Sequence, residues 1–148
     1  MKQGYTVSTT QPSLASLSEL WDGLLNTYDK VIHIPMSKAL SGGYSAAAMF
    51  SRDYDGRVLV VDSRRISVPQ ASAAIQAARL VSEGMQAEEI KKRLEDMALE
   101  ASIYITVDTL EYLKRGGRIR SAEALAGEIL NIKPVIQVKG GLLEPYCK

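Results

Sequence analysis

Short runs of β-branched residues alternate with helix-like stretches along the first hundred residues of this chain. Two of these runs, residues 30–35 (KVIHIP) and 58–61 (VLVV), have the length of single strands, and a third, residues 102–107 (SIYITV), follows this part of the chain. Continuous apolar strands separated by helices are typical of a parallel sheet that helices cover on both faces. The alternation therefore predicts an α/β protein built around a parallel sheet.

The helices are marked by apolar spacing and by residues that favour helix ends. Ser13 stands at an N-cap position, and the apolar residues after it recur at helical intervals: Leu14, Leu17, Trp21, Leu24 and Leu25. Further helices are predicted at residues 41–51, 67–83 and 87–99, with a short helix after residue 107 and another near residues 121–130.

The end of the chain follows a different pattern. The segments VIQV and LLEPY flank Lys139, Gly140 and Gly141, which indicates a β-hairpin. A hairpin does not fit a parallel sheet, so we interpret it as the start of a second, mixed α/β unit. We expect a partial first α/β domain at residues 1–101 and a partial second domain at residues 102–148.

Composition and charge exclude several classes of protein. The chain has 148 residues and a net charge of +1, so no global field attracts nucleic acid or an anionic membrane. One cysteine allows neither a disulfide framework nor a zinc-binding pattern. No segment approaches the roughly 18 apolar residues that a membrane span needs, and the N-terminus does not resemble a signal peptide. We expect a cytoplasmic protein without stable membrane insertion.

Two polar segments lie where a predicted helix begins, and there an anion can bind to unpaired amides. Thr9 and Thr10 precede the first helix, where hydroxyls either cap the helix or hold a ligand. Ser37, Ser41, Gly42 and Gly43 connect the first strand to the second helix. This turn matches neither a P-loop nor a dinucleotide fingerprint, so either a carboxylate or phosphate site or simple packing explains it.

A third segment combines two glycines with a cation. Arg118 follows Gly116 and Gly117, an arrangement that suits either an oxyanion contact or a solvated basic loop. His33 is the single histidine and lies in an apolar run, which favours a core position over a catalytic one. Asp62 and Arg64, after the second strand, suit either a local ion pair or a cleft wall.

In order, the motifs TTQPS, SKALSGGY, VDSR, DTLEYLKRGGRI and NIKP make the whole chain similar to the DegV family. Residues 108–119 (DTLEYLKRGGRI) are the most specific part of this resemblance. Members of the family are bacterial fatty-acid-binding proteins, and they include the acyl-presenting subunits of fatty acid kinase.

The resemblance implies a two-domain, non-catalytic α/β protein that buries a long-chain fatty acid between its domains and needs no cofactor. Thr9 matches the threonine of the family's TSQP motif and Ser41 the second serine of its SxLSG motif, so both would bind the carboxylate. Arg118 resembles the arginine that assists phosphoryl transfer or docks the kinase catalytic subunit. The supporting head-group turn would consist of Thr10, Ser37, Gly42 and Gly43.

The chain departs from the family pattern at Gly43, Ser45 and Ala46, where threonine, glutamine and serine are common. Family members are also longer, which implies a central fragment whose first domain lacks its opening strand. Apolar surface exposed by such a truncation would favour a homo-oligomer. Two other interpretations stay open: a stand-alone phosphotransferase, and an interaction module that docks a partner without a ligand of its own.

Overall fold

In the computed structural model, which describes residues 8–119 and 135–147, helices and strands alternate as the sequence predicts. The first part of the chain contains α1 (Leu14–Leu25), β1 (Val31–His33), α2 (Gly43–Phe50), a 3-10 turn (Ser51–Tyr54), β2 (Val58–Val60), α3 (Ser67–Ser82), α4 (Ala87–Asp96) and a second 3-10 turn (Met97–Leu99). The second part contains β3 (Ser102–Thr106), α5 (Glu111–Arg115), β4 (Val135–Lys139) and β5 (Leu142–Cys147).

The predicted parallel sheet is confirmed by the pairing of β1 with β2. The two strands run parallel, with Ile32 opposite Leu59. All three residues of β2 are buried, as expected for a strand that is covered on both faces. Both strands are shorter than their apolar runs: the paired register ends at His33 and Val60, and the Val61 amide adds one bond to the His33 carbonyl over 2.9 Å.

Helix α1 begins as its sequence predicts. The hydroxyl oxygen of Ser13 accepts a 3.1 Å hydrogen bond from the amide of Ser16, which caps the first turn. Leu17 and Trp21 of the predicted apolar face are buried, and Trp21 packs against Phe50 and Tyr54. This aromatic cluster joins α1 to the end of α2 and forms one side of the first core.

Helix α2 begins at Gly43, two residues later than predicted. The amide of Gly43 donates to the hydroxyl oxygen of Ser41 instead of a preceding carbonyl, so Ser41 stays in the connecting turn. After Phe50, the 3-10 turn Ser51–Tyr54 follows the helix directly. Asp55 and Gly56 then adopt positive φ angles of 49° and 76°, and the chain reverses into β2.

The second sheet is antiparallel, with strand order β3-β4-β5. Its hairpin is confirmed: Gly140 and Gly141 have φ angles of 59° and 83°, the signs that a tight hairpin turn requires. One face of the sheet contributes to a buried cluster with α5, and Leu40 and Ile66 from the first part pack on this cluster. The predicted helix at residues 121–130 lies outside the described residues, and the domain boundary at residue 101 stays a prediction.

None of the helices within residues 8–119 and 135–147 is long and apolar enough to cross a membrane.

Candidate ligand-binding turn

The turn between β1 and α2, residues 37–43, contains four of the predicted site residues; we call it the Ser41 turn. It lies at the carboxyl end of a parallel strand, which is where open α/β sheets bind ligands. The carbonyl of Ser37 accepts hydrogen bonds from the amides of Leu40 (3.0 Å) and Ser41 (3.1 Å). These bonds wind the turn tightly and fix the Ser41 backbone relative to Ser37.

The hydroxyl of Ser41 is prepared to donate a hydrogen bond. Its oxygen accepts from the Gly43 amide over 3.1 Å, and within the described residues its hydrogen has no acceptor. Accepting one hydrogen bond polarises a hydroxyl and strengthens the bond it donates. The Ala46 amide bonds to the Gly42 carbonyl over 3.0 Å, so the amides before Ala46 lie ahead of the helical ladder and add positive potential.

The segment that carries Thr9 lies against this turn. The side-chain oxygen of Gln11 occupies the space that a Cβ atom at Gly42 would need, and Pro12 Cδ lies 3.9 Å from the Cβ position of Gly43. Thr9 and Thr10 are exposed beside this contact. The segments carrying Thr9 and Ser41 thus meet, while the binding of one carboxylate by both hydroxyls stays a prediction. A side chain at Gly42 would displace the end of the exposed Gln11 side chain from this contact.

Ser37 is buried, with 2% of its surface exposed, and its hydroxyl is used inside the protein. It donates to the carbonyl of Gly141 over 3.3 Å and accepts from the amide of Ala39 over 3.3 Å. Its amide donates to the carbonyl of Arg65 over 3.0 Å. Ser37 therefore supports the turn through its contacts with the loop after β2 and with the β4–β5 hairpin.

Arg118 extends from the end of α5 to the same turn. Its Nε donates to the carbonyl of Leu40 over 3.3 Å, and its Nη1 donates to the carbonyl of Gly116. The side chain is exposed at its outer face, so part of the guanidinium stays available to an anion or a partner. The geometry brings the predicted cation next to Ser41, although Arg118 and Leu40 are 78 positions apart in the chain.

A charged group beside the turn was only partly visible in the sequence. Lys38 Nζ lies 2.6 Å from Asp62 Oδ2, and Arg64 Nε lies 3.7 Å from the same oxygen. The sequence offered an ion pair after β2 as one of two alternatives, and the structure contains it. The role of Lys38 was missed because its partner is distant in the chain. Since both cations share one carboxylate, the group adds positive charge to the rim of the turn.

His33 is half-buried and packs at the edge of the core that contains Trp21. Its ring makes an edge contact with Trp21, with ring centroids 5.4 Å apart. Burial lowers the pKa of His33 below its ordinary value, because the charged imidazolium would lose its hydration. The neutral ring therefore acts as a packing residue, as its apolar surroundings in the sequence predicted.

Two cavities adjoin these elements. One, of about 60 Å³, lies between Leu40, Arg118 and Leu143 and has room for a few water molecules. The other, of about 440 Å³, lies between β2 and α4 and has a charged rim of Glu88, Lys91, Lys92 and Glu95. Neither is lined by Thr9 or Ser41, so within the described residues the tunnel for an acyl tail stays an expectation.

The amino-acid sequence of this chain is similar to those of known proteins. The sequence pattern described as "Uncharacterised protein, DegV family" matches residues 1–148. A DegV domain-containing protein from Deinococcus radiodurans is 36% identical over 137 residues, which cover 93% of this chain and 49% of the relative. The chain thus spans about half the length of the curated relatives it matches.

Solved structures share the fold. A DegV family protein from Thermus thermophilus, described for its fatty acid binding, superposes with a TM-score of 0.86 at 33% identity. The match covers 98% of this chain and 52% of that protein. A stearic-acid-binding protein from Eubacterium ventriosum superposes with a TM-score of 0.77 at 30% identity, covering 92% of this chain and 48% of that protein.

Proposed function

This chain belongs to the DegV family, and we propose that it binds a long-chain fatty acid whose carboxylate is held by Thr9 and Ser41. The observation that carries the proposal is the contact of Gln11 with Gly42, because it brings the segment of Thr9 to the turn of Ser41. Fatty acid binding by the structural relatives from Thermus thermophilus and Eubacterium ventriosum supports the same ligand class.

The chemistry of the turn suits a carboxylate. Ser41 has a polarised hydroxyl hydrogen to donate, and the start of α2 adds the positive end of a helix dipole. Hydrogen bonds to a charged acceptor are each worth about 1.5–3 kcal/mol. Neutral donors bind the anion without a full opposing charge, which suits a ligand that must later leave the site.

The acyl tail would supply most of the affinity. Burying a methylene group contributes about 0.8 kcal/mol, so a tail of about 14 methylenes contributes near 11 kcal/mol before the cost of association. Two hydroxyls contribute less than this, so they set the orientation of the head group. Thr10, Ser37, Gly42 and Gly43 would then keep the two donors in place without contributing much affinity of their own.

The position of Arg118 supports a role in presenting the ligand to a kinase catalytic subunit. Its guanidinium is anchored at the Leu40 carbonyl beside Ser41, and it is exposed. An arginine at that place can stabilise a phosphoryl group during its transfer to the carboxylate, or contact the partner. The kinase would supply the nucleotide and metal, while this chain would position the acyl group.

The test is lipid extraction and native mass spectrometry of the full-length gene product that contains this sequence. We expect one bound long-chain fatty acid per protein, displaced by added fatty acid but not by the fatty alcohol of equal length. A protein that is purified without acyl ligand and takes up none from solution would contradict the proposal. The variant Ser41→Ala serves as the control for head-group recognition.

A further inference from the structure

We propose that the β4–β5 turn at Gly141 is the positioning element of the Ser41 turn, acting through Ser37. This inference rests on the proposed function, since it concerns the placement of the head-group donor. No feature of the sequence links the hairpin to the site, because Ser37 and Gly141 are 104 residues apart.

Gly141 fits its place by shape. A Cβ atom there would overlap Ser37 Oγ, and it would lie 3.0 Å from Ser37 Cβ and 3.4 Å from the carbonyl oxygen of Arg64. The residue also has a φ angle of 83°, which side chains disfavour. Glycine is therefore required at this position for two independent reasons, and the close approach to Ser37 is the one that concerns the site.

Ser37 is hydrogen-bonded both to the hairpin turn and to Ser41. Its hydroxyl donates to the Gly141 carbonyl over 3.3 Å, and its own carbonyl accepts from the Ser41 amide over 3.1 Å. Ser37 is 2% exposed, so neighbouring atoms enclose it on nearly all sides. We therefore expect a displacement of the hairpin turn to move Ser37, and with it the backbone that carries the Ser41 hydroxyl.

The hairpin belongs to the antiparallel sheet, whereas the Ser41 turn follows a strand of the parallel sheet. The contact between Ser37 and Gly141 thus makes the geometry of the head-group site depend on how the two sheets are docked. Arg118 lies in the second part of the chain and donates to the Leu40 carbonyl, so it forms a second contact between that part and the Ser41 turn.

The experiment compares Gly141→Ala with Gly56→Ala in the full-length gene product. Gly56 also has a positive φ angle, 76°, but a Cβ atom there meets nothing within 4 Å. The two variants therefore share the backbone penalty of alanine at positive φ, and they differ in the clash with Ser37. Thermal unfolding of Gly56→Ala measures the backbone penalty, and the further loss in Gly141→Ala measures the clash.

The readout is the ratio of the dissociation constants for a long-chain fatty acid and for its methyl ester. The ester keeps the tail and lacks the carboxylate, so a positioning defect weakens acid binding while ester binding stays nearly constant. We expect Gly141→Ala to raise this ratio about tenfold, equivalent to about 1.4 kcal/mol, and Gly56→Ala to keep the wild-type ratio. Equal ratios for the two variants would overturn the proposal.

A second pair of variants covers the case in which Gly141→Ala does not fold. Ser37→Ala removes the hydroxyl without adding volume and is expected to raise the acid-to-ester ratio of dissociation constants by a smaller factor. In the double variant Ser37→Gly with Gly141→Ala, both Ser37 atoms that the new methyl group meets are absent, and we expect partial recovery. An unchanged ratio in Ser37→Ala would overturn the proposal by itself.

Failure of the proposed function gives a different result. If the wild-type protein binds neither acid nor ester, the fatty acid assignment is wrong and the positioning role falls with it. If the wild type prefers the acid and the Gly141 and Ser37 variants keep that preference, the fatty acid assignment stands and only the role of the hairpin is wrong.

Discussion

The amide of Gly43 donates a hydrogen bond to the hydroxyl oxygen of Ser41 over 3.1 Å. The bond separates the turn from helix α2, and it directs the remaining hydrogen-bonding capacity of the hydroxyl toward an external acceptor. The same short segment thus ends the connection from β1 and provides a donor for an anion.

Replacement of Ser41 tests this donor directly. We expect Ser41→Ala to raise the dissociation constant for a long-chain fatty acid about tenfold, because one charge-assisted hydrogen bond is lost while the tail contacts remain. Titration calorimetry measures the change. The matched control is Ser45→Ala, at an exposed position in the first turn of the same helix. Equal affinities for the two variants would remove Ser41 from the site.

Arg118 is expected to act on turnover more than on binding. The variant Arg118→Ala should bind fatty acid within about threefold of wild type, since hydroxyls hold the carboxylate, but it should slow kinase-dependent phosphorylation by about tenfold or more. Arg115→Ala is the control, because Arg115 forms an ion pair with Glu111 (2.6 Å) in the same helix. Normal turnover by Arg118→Ala would exclude the phosphoryl or partner role.

His33 should make stability depend on pH. Burial lowers its pKa in the folded protein below the ordinary value of 6.5, so the unfolded chain takes up a proton more readily as the pH falls through that value. Protonation of His33 therefore leaves the free energy of unfolding unchanged above about pH 6.5 and lowers it as the pH falls below that value. Urea unfolding at about pH 7.5 and about pH 5.5 measures the loss. His33→Gln should lack this part of the pH dependence, and an identical decrease in the variant would contradict the assignment.

Variants of Ser13 test whether this residue only caps helix α1 or also binds the ligand, as we propose for Thr9 in the same segment. Ser13→Ala should lower the free energy of unfolding by about 1 kcal/mol, because the Ser16 amide loses its acceptor. Ser13→Asn, a neutral N-cap residue without the hydroxyl, should restore most of the loss. Fatty acid affinity should stay unchanged in both variants, in contrast to Thr9→Ala. Reduced affinity in Ser13→Asn at wild-type stability would show that Ser13 contributes to the site.

The elements that could be predicted from the sequence are those with a local cause. The spacing of Leu17 and Trp21 and the N-cap at Ser13 specify helix α1, and the two glycines at residues 140 and 141 specify a hairpin. The start of α2 was predicted two residues early, because the bond from Gly43 to Ser41 competes with the helical pattern.

The arrangement around the site depends on contacts between distant residues, which leave no periodic pattern. Gln11 against Gly42, and Ser37 against Gly141, each join segments that carry ordinary turn sequences. The hairpin turn alone explained the glycine at residue 141 in the sequence. The sequence did not show that the close approach of Ser37 also requires glycine at this position. Arg118 was predicted from the family resemblance, but its anchor at Leu40 could not be.

The 104-residue separation between Ser37 and Gly141 also has a kinetic consequence. A hairpin closes within microseconds, whereas a contact across so long a loop must wait until both sheets have assembled. The Ser41 turn should therefore reach its final geometry in the last stage of folding. By the same reasoning, its amides should be among the earliest to exchange with deuterated solvent when the native protein opens locally.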